Sequence, residues 1–157
     1  MTTHKYVTIV KPDDVPPIWN EVKPLIEKAL SHEYLGAMTS TDALRLILNQ
    51  RMQLWIGVEE SNDLFLALLT EIVPYPRRTV LRIITFATIT GHNMNDWYHY
   101  LSHIEAFGRA NKCDALEAWT RKGLAEKLNW EHEYAVITKN MKPQQPKKRR
   151  RRAKTNG

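Results

Sequence analysis

The chain has 157 residues, 43% hydrophobic and 25% charged; that length suits one domain with its own core, and the composition favours neither a membrane protein nor a mainly disordered one. No apolar run approaches the ~20 residues of a spanning helix, and the opening MTTHKYVTIVKPDD lacks the apolar centre of a signal peptide, so neither a membrane nor export is expected. The formal charge is +6, but eight of the 23 basic residues fall from Lys142 onward with no acidic residue among them, leaving 15 basic against 17 acidic in residues 1–141, a body near −2; the basicity belongs to a tail.

In chain order, KYVTIVKP is a β-rich start closed by Pro12, and Asp13 or Asp14 is placed to cap the helix that follows Pro16 and Pro17. Ile18, Trp19, Val22, Leu25, Ile26, Ala29 and Leu30 recur at three- and four-residue spacing, an amphipathic helix that Pro24 should kink. TSTDALRLILNQ predicts a second helix capped by Ser40 or Thr41. From Met52 the period changes: MQLWIGVEE and LFLALLTEIV, joined by the polar turn ESND, read as a hairpin, and after PYPRR the β-branched TVLRIITFATIT adds a third strand to an antiparallel meander. NDWYHYLSHIEAFGRANKCD is helical, with Trp97, Leu101, Ile104 and Phe107 or Gly108 on one face. ALEAWT is a strand, RKGLAEKLN a short helix and EHEYAVITKN a final strand.

The order β-α-α-β-β-β-α-β-α-β, together with the ending LAEKLNW at Leu124–Trp130, resembles the GNAT superfamily of N-acetyltransferases. Many members read leucine, tyrosine, glutamate, lysine, leucine, glycine, phenylalanine at that place. The resemblance spans nearly all of residues 5–141 and implies an α+β (α/β) fold: a central, mostly antiparallel mixed sheet flanked by helices, with a domain over 1–141; the basic tail KPQQPKKRRRRAKTNG over 142–157 cannot bury apolar surface and should be disordered in isolation. Texture in WNEVKPLIEKAL, MQLWIGVE, TEIVPYPRR and VLRIITF is also similar to divergent GNAT-like proteins of tailed phages, some of which serve in the virion.

Two departures bear on chemistry. Ala125 stands where members of the family often place a tyrosine that can protonate the departing thiolate of coenzyme A, and a methyl group cannot act as a general acid. The family's glycine-rich pyrophosphate loop is replaced by TFATITGHNMNDWYHY, with one glycine, Gly91, and with Asp96 near the helix N-terminus, where a carboxylate caps well and repels a pyrophosphate. The leading expectation is therefore a non-catalytic GNAT-like structural or binding protein, a phage virion component, with no cofactor and no catalytic residue. Its partners would be other virion or assembly proteins, a second copy of the chain, and DNA or an acidic protein surface; it would sit in the virion or the host cytoplasm.

The alternative is a divergent N-acetyltransferase using acetyl-CoA. The resemblance then implies that the strand around Phe86, Ala87 and Thr88, with Gly91, His92 and Asn93 beyond it, holds the cofactor, and that Glu71 is the base acting through water. A carboxylate on a central strand commonly pairs with an arginine across the sheet, here Arg77, Arg78 or Arg82. His99 and His103 have chelating spacing but no acidic or thiol partner pattern, so no metal is expected. Cys113 beside Asp114 should be an inert thiol, and a lone cysteine suits a reducing compartment.

The tail carries the most definite hint. Lys147, Lys148, Arg149, Arg150, Arg151 and Arg152 run without interruption, followed by Lys154. Such an arm suits phosphate backbones or an acidic partner.

Overall fold

The computed structural model describes residues 5–33, 37–89 and 98–118, together with 130, 131, 139 and 141. The chain divides into two compact units, Met1–Arg121 and Lys122–Gly157. In the second, Trp130 is half-buried and Glu131, Lys139 and Met141 are exposed. The boundary at 141/142, the final helix and strand, Ala125 and the basic tail lie there, outside the described residues.

The first unit is a five-stranded sheet in sequential order, β1 (Tyr6–Val10), β2 (Gln53–Val58), β3 (Leu64–Pro74), β4 (Thr79–Thr88) and β5 (Ala115–Ala118). β1 to β4 pair antiparallel and β4 pairs parallel with β5. Two hairpins build β2–β3–β4. Their first turn is closed by the Glu59 amide donating to the Asp63 carbonyl at 2.9 Å, with Asn62 at φ 68°, a left-handed conformation that asparagine tolerates well. The parallel pair needs a crossover, which contains α3 (Tyr98–Ala110).

α1 (Val15–Glu33) and α2 (Ser40–Leu48) connect β1 to β2. Asp13 and Asp14 belong to a short 3₁₀ turn, Pro12–Asp14, that runs directly into α1, and the helix includes Pro16, Pro17 and Pro24. The expected cap of α2 is corrected: Thr39, not Ser40 or Thr41, accepts from the Asp42 amide, and Asp42 Oδ2 accepts from the Thr39 amide. Asp42 stands three residues past Thr39, which completes a reciprocal capping box. Ser40 is instead buried and donates to Glu27 at 2.9 Å.

Apolar alternation decides which helix covers which face. Leu54, Ala67, Leu69, Ile84 and Ala87 pack with Val22, Ile26, Ala29 and Leu30 of α1 and Ala43 and Ile47 of α2. Trp55, next to Leu54 and so on the opposite face, meets Phe107 of α3 edge to face at 5.4 Å. Leu101 and Ile104 are buried, and Gly108 lies against Leu81. Helices thus flank the sheet on both faces. Among the described residues no helix is long and apolar enough to cross a membrane.

Candidate functional site

At the end of the sheet where β3 turns into β4, three charged residues lie side by side on three strands. Glu71 of β3 is in register with Arg82 of β4, and Arg82 with Glu117 of β5. Cross-strand neighbours are close enough for side chains to meet, and here they do. Arg82 Nη1 donates to Glu71 Oε1 at 3.2 Å, Arg82 Nε to Glu117 Oε1 at 2.9 Å, and Arg82 Nη2 to the Tyr75 hydroxyl at 2.7 Å. The Tyr75 hydroxyl in turn donates to the Glu117 carboxylate, at 3.2 and 3.3 Å from its two oxygens.

The guanidinium side chain is only 11% exposed, against 31% for Glu71 and 18% for Glu117. Burial alone would pull its pKa down; the hydrogen bond and charge of Glu117, then Tyr75, outweigh that and hold Arg82 above the ordinary arginine value. Glu71, nominated from sequence as a base or as an arginine partner, is therefore the partner of Arg82. Tyr75 and Glu117 complete the cluster. Sequence reasoning missed Glu117, a carboxylate inside the short strand ALEA whose partner is set by the parallel register.

Two residues further along β4 the ladder is irregular. Leu69 pairs with Thr85 but Thr70 pairs with Ile83, so Ile84 is an extra residue on β4, a β-bulge. The pairing described between β4 and β5 covers Val80–Ile83 and ends just before it. Thr85 is 1% exposed and its hydroxyl has no hydrogen-bond partner among the described residues.

Phe86, Ala87 and Thr88 follow, opposite Leu68, Ala67 and Leu66. Ala87 is buried in the core shared with α1, and the Thr88 carbonyl accepts from Lys28 Nζ at 3.4 Å. Gly91, His92 and Asn93 lie outside the described residues, as does the run Lys147–Arg152 with Lys154. His103 is exposed on α3, and no group of histidine, cysteine and carboxylate side chains suited to a metal occurs among the described residues. Cys113 is half-buried; burial, then the charge of Asp114, pushes its thiol pKa up.

No family model matches the sequence, and no curated protein does. Solved structures do match its fold. An aminoglycoside acetyltransferase from an uncultured soil metagenomic sample, in complex with sisomicin, superposes with a TM-score of 0.67 at 11% identity, covering 88% of this chain and 97% of that one. An aminoglycoside N-acetyltransferase in complex with CoA gives 0.68 at 11% identity, covering 89% and 96%. A GNAT family acetyltransferase of Staphylococcus aureus gives 0.61 at 14% identity, covering 87% and 98%. The chain has the GNAT fold; at these identities the likeness speaks for the fold alone.

Proposed function

We propose that this GNAT-fold chain is a binding component and not an acetyltransferase. The observation that carries this reading is the engagement of Glu71, its candidate base, by the guanidinium of Arg82 at 3.2 Å. Glu71 is thereby part of an ion-pair network across the sheet. The same arginine is tied to Glu117 and Tyr75, so the network joins three strands.

The sequence adds two supports: the methyl group of Ala125 at the place of a proton-donating tyrosine, and the single-glycine junction with Asp96 at the place of the pyrophosphate loop. The folded body would then supply a protein interface, and Lys147–Arg152 an electrostatic arm for DNA or an acidic partner. The virion setting suggested by the phage-like texture belongs to this reading.

A second reading, a divergent acetyl-CoA-dependent N-acetyltransferase, is favoured by the fold match to an acetyltransferase in complex with CoA. Against it stands the pairing of its candidate base, Glu71, with Arg82.

Calorimetric titration of the full chain with acetyl-CoA at moderate salt separates the two. The binding-component reading expects no saturable binding up to millimolar ligand beyond what inorganic pyrophosphate gives through the basic tail. Tight binding that pyrophosphate cannot mimic, followed by acetyl transfer to an amine that Glu71→Gln abolishes, would overturn it.

A further inference from the structure

The β3–β4 hairpin tip carries a feature that the Arg82 cluster leaves unused. Pro74 ends β3, Pro76 and Arg77 form the two-residue loop, and the turn closes through the Tyr75 amide donating to the Arg78 carbonyl at 2.8 Å. Proline fixes its own φ and stiffens the residue before it, so PYPRR is a rigid tip. Tyr75, Arg77 and Arg78 are all exposed. The Tyr75 ring is further held by its hydroxyl, which accepts from Arg82 and donates to Glu117.

Arg77 and Arg78 have no acidic partner among the described residues. The acidic groups described at this end of the sheet are otherwise engaged: Glu71 and Glu117 with Arg82, and Asp114 Oδ2 with the Thr79 amide at 2.9 Å. An exposed aromatic residue held through its hydroxyl, within three positions of two arginines that have no acidic partner among the described residues, supplies a ring for stacking on a base and two charges for adjacent phosphates, the combination that single-stranded nucleic acid rewards. An acidic protein surface would use the charges but has no need of a locked ring.

We infer that the Tyr75–Arg78 hairpin tip is a single-stranded nucleic-acid contact on the folded body, with Tyr75 stacking on a base while Arg77 and Arg78 hold flanking phosphates. The inference shares its partner class with the basic tail but none of its residues. Because the ring is held before binding, little freedom is lost on contact.

The test uses the full chain and a fluorescent oligothymidylate of about 20 nucleotides, titrated over a range of salt. Replacing Arg77 and Arg78 together by Ala should weaken binding and lower the slope of log K against log salt by about 1.4, two phosphate contacts on a single strand. Tyr75→Ala should weaken binding by about tenfold and leave that slope unchanged, since stacking releases no counterions. Tyr75→Phe, which keeps the ring but not the hydroxyl that holds it, should recover part of the loss.

A full-length variant with Lys147–Arg152 replaced by Gln separates the two contacts. Its residual binding should remain sensitive to Arg77 and Arg78. If the tail variant abolishes binding while the arginine pair changes neither affinity nor slope, the hairpin contact is overturned and the tail reading stands. Absence of oligonucleotide binding by the parent, or equally effective displacement by polyglutamate, would overturn the nucleic-acid assignment outright.

Discussion

Arg82 Nε lies 2.9 Å from Glu117 Oε1, an ion pair between residues 35 positions apart that spans the parallel β4–β5 pair. The same side chain also reaches Glu71 on the other neighbouring strand. Removing it takes from two partly buried carboxylates the cation that they share. Arg82→Met should therefore cost about 2–4 kcal/mol, reduced from the fully buried case because the glutamates are partly exposed. Replacing all three by apolar residues, Glu71→Leu, Arg82→Met and Glu117→Leu, should restore most of that, since no charge is then stranded. Denaturant midpoints of the two variants check both expectations. A triple variant less stable than the single one would contradict them.

Gly57 sits at an irregularity between β2 and β3 with no room for a side chain. A Cβ there would lie 2.7 Å from Phe65 Cζ and 2.8 Å from Leu66 Cβ. The ring can yield, but Leu66 is buried and fixed to the strand. Gly57→Ala should destabilise by about 1–3 kcal/mol through overpacking, read from thermal unfolding. A neutral outcome would mean that β2 shifts to make room.

The capping box predicts a pH dependence. The Thr39 amide, then the Thr39 hydroxyl, hold Asp42 below its ordinary pKa of 3.8. The unfolded chain therefore binds the proton first as pH falls. This contribution to stability is whole above about pH 4 and is lost as pH falls through the depressed folded value. Thr39→Ala should cost about 1 kcal/mol at neutral pH and flatten the acid limb of the stability profile only in part, because the backbone amide at position 39, the larger cause, remains. Ser40→Ala should leave that limb unchanged, because Ser40 bonds to Glu27 instead.

Cys113 should alkylate slowly at neutral pH, its rate still climbing with pH beyond the usual thiol range. Asp114→Asn should speed the reaction only in part, because burial is the larger cause of the raised pKa and Asp114 the smaller. A full return to the rate of a free thiol would assign the effect to Asp114 alone.

Much of this fold is legible in the sequence because its signals are local. The change from a three-to-four spacing in residues 18–30 to β-rich runs after Met52 marks where helices give way to strands, and ESND marks a hairpin. The cap of α2 needed a finer reading. Thr39, Ser40 and Thr41 all suit an N-cap by type, and only the spacing from Thr39 to Asp42 selects among them. Glu117 was not legible. Its partner depends on the register of a parallel pair joined through a long crossover, and no local pattern in ALEAWT encodes that register. Glu71, by contrast, sits in a hairpin, so its arginine partners could be enumerated in advance.

The parallel seam also bears on the order in which the sheet assembles. β2, β3 and β4 follow one another through tight turns, and forming those pairs closes only short loops. Among the described residues β5 joins β4 through four residue pairs, after the chain has travelled around α3. Closing that long loop costs entropy before the contacts repay it, so the meander should form first and β5 dock late. Hydrogen exchange would record this as amides of Ala115–Ala118 opening more readily than those of Leu66–Leu69 at the centre of the sheet. Arg82 then acts as a latch: its contact with Glu71 can be made when the hairpin closes, and its contact with Glu117 only when β5 arrives.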